Sequence, residues 1–155
     1  MVMTPSEHEE KIRGLVRSHA SSLVNVIRAI EGKYGEEGKE LARQAFLSPS
    51  RQRRREPSDP SKDLHEFCDN LERGCRVTHE WTRVVDEPNR VKYIFSKCMW
   101  AEAFRSLDAA DIGHWFCDTD EPAVRAYNPK LGFRRTKVMM EGDEICDHDF
   151  FVEST

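Results

Sequence analysis

At Cys75 the hydrophobic pattern of this chain changes its period, and that change limits the folds open to it. Before Cys75, apolar residues recur at three- and four-residue steps: Ile12, Leu15, Val16, Leu23, Val26, Ile27 and Ile30, then Leu41, Ala45 and Phe46, then Leu64, Phe67, Cys68 and Leu71. From Cys75 on they alternate, with Val77, Trp81 and Val85 facing one way and Arg76, Thr78, Glu80 and Thr82 the other. The pattern predicts an α+β fold, with a helical N-terminal half packed on a mainly antiparallel sheet of about four strands and helices inserted between them.

Local signals place the elements. Thr4, Pro5 and Ser6 open the first helix, with Glu7, Glu9 and Glu10 in its first turns, and it is expected to stop near Gly32 or Gly35. A second helix runs from 36 to 46. The stretch SPSRQRRREPSDPS from Ser48 to Ser61 has three prolines and four arginines and reads as an exposed linker. Its RQRRR run is either a solvated basic loop or a phosphate or nucleic-acid contact, and short basic runs favour the former. Ser61 caps a third helix from Lys62 to Arg73, ended by Gly74, with Cys68 on its packing stripe. Asp86-Glu87-Pro88-Asn89 is a turn, after which Val91, Tyr93 and Phe95 alternate as the second strand of a hairpin. Cys98 begins the next helix, and the segment from Asp108 to Asp120 is irregular or partly helical. Thr119 caps a short helix over Asp120–Ala126, which Asn128-Pro129 breaks. Phe133–Met140 reads as the third strand, Glu141–Glu144 as a turn and Ile145–Val152 as the fourth strand.

At 155 residues the chain reads as one domain, with residues 1–47 helical, 48–61 linking and 62–155 bearing the site, and it can bury a core without disulfides. No apolar run approaches the roughly 18 residues of a spanning helix, and the N-terminus lacks a signal pattern. A mean hydropathy of -0.71 with 34% charged residues describes a soluble protein, expected in the cytoplasm. Five cysteines make an odd count without a staple spacing, so thiols are expected. The net charge of -4 argues against nucleic acid as a partner. A small-molecule substrate is the expected partner, with no membrane, and a homo-oligomer is left open.

The segment from Tyr93 to Phe151 carries the chemistry. It holds Cys98, Cys117 and Cys146, each with carboxylates nearby: Glu102, Asp118 and Asp120, and Asp147. Two chemistries fit. One thiolate could attack a carbon, with His148 or a carboxylate carrying the proton. Alternatively thiolates with Asp or His could complete a tetrahedral metal site, although no CxxC pair is present. No cofactor is expected, and a metal ion is left open. The plain alternative is that each cysteine is a small buried hydrophobe. His148 alternates with Cys146 on the last strand, and on a helix Cys98 and Glu102 would share a face. His114 and Trp115 are candidate pocket walls. Arg134, Arg135 and Lys137 are candidates for a substrate carboxylate, since arginine matches its geometry.

In order along the chain, Cys98-x-x-x-Glu102, Phe116-Cys117-Asp118-Thr119-Asp120, Asn128-Pro129-x-Leu131-x-Phe133, Arg135-Thr136-Lys137 and Gly142-x-x-x-Cys146-Asp147-x-x-Phe150 resemble the L-2-amino-thiazoline-4-carboxylic acid hydrolase family. The resemblance covers Tyr93 to Phe151, with a weaker helical match upstream. It implies a cyclic isothiourea substrate bearing a carboxylate, whose ring carbon between sulfur and nitrogen is the electrophile and whose opening gives a carbamoyl-cysteine. Such a reaction needs a nucleophile or activated water, an acid for the leaving group, acidic residues for the amidinium and a cation for the carboxylate. For that chemistry the expected roles are Cys146 as nucleophile with His148, which is not a fixed part of the family pattern, as its proton partner, Glu102 and Asp120 on the amidinium and Arg135 on the carboxylate. Cys98 and Cys117, with Asp118, His114 and Trp115, would line the pocket. Cys98 at a helix N-terminus is the next candidate nucleophile. Two other readings stay open: a metal- or small-molecule-binding protein on the same fold, and a non-catalytic interaction module.

Overall fold

A computed structural model describes residues 5–48 and 58–153. The basic run at 51–55 lies outside the described residues.

The first helix, α1 (Pro5–Leu47), continues through both expected stops but turns a corner at Gly35 (φ 69°, ψ -159°). A side chain rarely adopts that φ, so glycine is what lets the chain turn there and resume the helix. Val16, Ala20, Val24 and Ile27 form its buried face. Leu15 and Val26, read as part of the stripe, are 60% and 58% exposed. One residue of offset rotates a side chain by about 100°, enough to carry both off the buried face.

Helix α2 (Leu64–Cys75) is capped by Asp63, whose side chain accepts from the amides of His65 (2.8 Å) and Glu66 (3.2 Å). Ser61, the expected cap, instead donates its hydroxyl to Asp59 at 2.7 Å. The helix also passes through Gly74, so Cys75 ends it rather than starting a strand.

Strands β1 (His79–Glu87) and β2 (Arg90–Cys98) form the expected hairpin. Three short helices follow: α3 (Met99–Ser106), α4 (Ala110–Cys117) and α5 (Asp120–Tyr127). Strand β3 spans only Leu131–Arg134, a 3-10 turn covers Met139–Glu141, and β4 runs over Cys146–Val152. The expected third strand from Phe133 to Met140 is therefore wrong beyond Arg134. The amides after that point donate to side chains and are lost to a ladder.

The four strands form one antiparallel sheet in the order β1-β2-β4-β3. Pairing Phe95 with Cys146, Tyr93 with His148 and Val91 with Phe150 puts these six on one face. That face packs on α2 and α5, where Phe67 meets both Tyr127 (5.3 Å between ring centres) and Phe150 (5.4 Å). Helices α3 and α4 pack against α1 at the end of the sheet. Tyr93, Phe104, Ile112, Leu131 and Phe150 are the largest fully buried side chains. The architecture is α+β, and no helix among the described residues is long and apolar enough to cross a membrane.

Candidate active site

Cysteines stand at four element ends. Cys75 closes α2, Cys98 joins β2 to α3 as its N-cap, Cys117 closes α4 and Cys146 opens β4. All four thiols lie within reach of the charge on Asp120, the first residue of α5. Cys98, Cys117 and Cys146 act on one another as well. Asp120 accepts a 2.6 Å hydrogen bond from Arg135, whose guanidinium also lies 5.6 Å from the centre of the Phe133 ring. The Arg135 side chain is 12% exposed and that of Asp120 31%, so the pair sits in a recess that solvent still reaches. Trp81, Phe133, His148 and the thiols of Cys75, Cys98 and Cys117 belong to residues that are likewise half-buried.

Burial raises the Asp120 carboxyl; Arg135 opposes it and Asp118 adds to it, leaving a pKa of about 6. Burial also pushes up every thiol, Cys117 to about 12 and Cys75 to about 11. At Cys98 and Cys146 the rise is opposed by backbone N–H groups. The Ala101 amide donates to Cys98 Sγ at 3.4 Å and the Met139 amide to Cys146 Sγ at 3.2 Å. All four are thiols at neutral pH, and a thiolate forms only when a base takes the proton.

His148 is not hydrogen-bonded to Cys146. The two share a face of β4 but are two residues apart, and no hydrogen bond is made to the His148 ring among the described residues. The ring is enclosed by Phe95 (4.8 Å), Phe133 (5.2 Å) and Phe150 (6.1 Å). Burial, with Arg135 and His79 nearby, lowers its pKa to about 3, so it is neutral. Glu102 is also elsewhere. In the first turn of α3 it is exposed and points to α1, where it pairs with Arg13.

His114, Trp115 and Asp118 meet in a neighbouring cleft of about 410 Å³, which Arg43, Asp111 and Glu141 also line. There His114 bridges Asp118 (3.1 Å) and Glu141 (2.9 Å), and Asp118 also accepts from Arg43 at 2.8 Å. Trp115 is buried and packs on Phe46 at 5.9 Å. Among the described residues no group of three or more His, Cys, Asp or Glu side chains is placed to hold a metal ion.

Cys75 was missed by reading the strand from it. The signal was present, since Leu64, Phe67, Cys68, Leu71 and Cys75 continue one helical stripe across Gly74.

Fold and recess together define an α+β protein with a thiol-rich site built round a single arginine–aspartate pair. The family model for L-2-amino-thiazoline-4-carboxylic acid hydrolase matches residues 16–150, most of the chain, and the protein belongs to that family. No curated protein matches it.

Proposed function

We propose that the protein is a hydrolase that opens a cyclic isothiourea or amidine bearing a carboxylate, of the 2-amino-thiazoline-4-carboxylate type, with help from a cysteine. The observation that carries this reading is the convergence of Cys98, Cys117 and Cys146, from three separate elements, on the Asp120–Arg135 pair. The family name supplies the substrate class.

Arg135 uses one N–H on Asp120, and its other donors suit a substrate carboxylate. Cys146 is the nucleophile, and Asp120, ionised near neutrality, is its proton partner in place of His148. The Cys146 sulfur bonds to the ring carbon between sulfur and nitrogen, and the thiol proton passes to Asp120. The bond from that carbon to the ring sulfur then breaks, and the sulfur takes the proton from Asp120. Water next adds to the same carbon, and the bond to Cys146 breaks with return of a proton to its sulfur. The water oxygen becomes the carbonyl of a urea group on the opened substrate, the former ring sulfur is its free thiol, and one water is consumed. The Met139 amide at Cys146 Sγ favours the transient thiolate.

The test is turnover of 2-amino-thiazoline-4-carboxylate, followed as carbamoyl product by mass spectrometry. Cys146→Ser and Asp120→Asn are each expected to lower kcat by at least about 10²-fold. Full activity in Cys146→Ser with loss in Cys98→Ser would move the nucleophile to the α3 cap. Absence of turnover by the unmodified protein across cyclic isothioureas and amidines would reject the hydrolase reading.

A further inference from the structure

Four consecutive amides that leave the sheet after β3 donate to side chains. Thr136 N and Lys137 N both reach Asp147 Oδ1, at 2.8 and 2.7 Å, while the Thr136 hydroxyl donates to Asp147 Oδ2 at 2.9 Å. Val138 N donates to Asp143 Oδ2 at 2.7 Å and Met139 N to Cys146 Sγ at 3.2 Å. A short loop is thus held by four side-chain hydrogen bonds to Asp147 and Cys146, neighbours on β4 that point to opposite faces of the sheet, together with one to Asp143.

Asp147 is buried on the face opposite Cys146, and Lys92 lies 3.6 Å from its Oδ2. Burial alone would raise its carboxyl, but the Thr136 amide and hydroxyl, the Lys137 amide and Lys92 hold it below the ordinary value, so it is ionised. Both oxygens are engaged by the loop, leaving it without a part in the chemistry of the recess. Arg135 sits immediately before the clamped amides. On its other side Arg134 ends β3 and lies over the Phe151 ring at 4.6 Å. The Arg135 backbone is therefore fixed on both sides, and its side chain crosses to Asp120.

We propose that Asp147 is the positioning residue of the site: its carboxylate holds the Thr136 and Lys137 amides and so sets where Arg135 meets Asp120 and where the Met139 amide meets Cys146. The consequence for turnover rests on the hydrolase reading above, whereas the clamp can be tested without turnover. Alanine at 147 removes both acceptor oxygens, whereas asparagine would still offer the two amides the single oxygen they share.

The experiment is an NMR titration of the Asp120 carboxyl in folded protein. Asp120 faces Arg135 from the loop, His114 from α4 and Asp118 just after it, and the thiols of Cys75, Cys98, Cys117 and Cys146. Arg135 lowers its midpoint, so releasing Arg135 must raise it. Asp147→Ala is expected to move the midpoint above about 6, in the same direction as Arg135→Met, and to add nothing to Arg135→Met in the double variant. It is also expected to lower kcat/KM by about 10²-fold, the effect of a small misplacement of a reacting group. An unchanged Asp120 midpoint in folded Asp147→Ala overturns the proposal. Should that variant not fold, Thr136→Val removes only the hydroxyl bond, and a smaller upward shift supports the clamp while none overturns it. A shifted midpoint in a protein without turnover would keep the clamp and reject the hydrolase; turnover with a fixed midpoint would do the reverse.

Discussion

At the scale of single residues, Asp120 and His148 bind protons in opposite senses, and both effects come from burial. The Asp120 carboxyl rises from 3.8 to about 6 on folding, so the folded state binds its proton more tightly. Its contribution to stability is full below pH 3.8 and is lost as pH rises through about 6, a change of at most about 3 kcal/mol at 1.36 kcal/mol per unit. His148 falls from 6.5 to about 3, so its contribution is full above pH 6.5 and is lost as pH drops toward 3, by at most about 5 kcal/mol. Urea unfolding at a series of pH values should therefore show a flatter acid limb in His148→Gln and a flatter profile between pH 4 and 7 in Asp120→Asn. A His148→Gln protein that loses stability on acidification as steeply as the parent would contradict a buried neutral ring. The two residues also mark what a sequence conveys. Cys98, Cys117, Cys146, Asp120 and Arg135 were legible because thiols, a carboxylate and a guanidinium recur in an ordered set of short motifs. The fate of His148 was not, because strand alternation gives its face but not the three phenylalanine rings that enclose it.

At the scale of elements, periodicity located most of the helices, the hairpin and the last strand; some errors came from stopping helices at glycines they pass through, and others arose where a side chain took a backbone partner. Asp63 rather than Ser61 caps α2 because Asp59 engages the serine hydroxyl. Strand β3 ends early because Asp147, Asp143 and Cys146 take the next amides. These acceptors lie 5 to 11 residues further on, outside the strand, so the strand's own residues carry no signal of its end. Glycines in helices separate the local from the tertiary contribution. A Cβ at Gly113 of α4 would stand 2.7 Å from Phe104 Cβ and 2.5 Å from Met140 Sδ, whereas one at Gly74 of α2 meets nothing within 4 Å. Gly113→Ala is expected to destabilise by about 1–3 kcal/mol through overpacking. Gly74→Ala should stabilise by about 0.5–1 kcal/mol, because a helical alanine loses less backbone entropy than glycine. Urea midpoints that moved in the same direction for both would show that α4 is not seated against α3 as described.

At the scale of the whole molecule, the recess depends on how α1 is docked. Two site-bearing ends, Cys98 at the start of α3 and Cys117 at the end of α4, belong to the helices that α1 packs against. Two kinds of contact hold it there. One is ionic: Arg13 with Glu102, Arg28 and Lys39 with Asp111, and Arg43 with Asp118. Most of these side chains are more than a third exposed, so salt screens them and their net contribution is small. The other is apolar: Val16, Ala20, Val24 and Ile27 are buried, and Phe46 beyond the Gly35 corner packs on Phe116 at 4.9 Å and on Trp115. Removing a buried isoleucine side chain to alanine costs about 2–5 kcal/mol, since the cavity does not close fully. Ile27→Ala should accordingly lower the urea midpoint strongly, whereas raising sodium chloride from 0.05 to about 0.5 M should barely move that of the parent protein. Because Phe46 seats α4, Phe46→Ala should also speed alkylation of Cys117 more than that of Cys146, which β4 and the Met139 amide hold independently. A large loss of stability in salt, with a small one in Ile27→Ala, would mean that charge rather than packing docks α1. Equal acceleration at both thiols in Phe46→Ala would mean that the recess opens as one body rather than element by element.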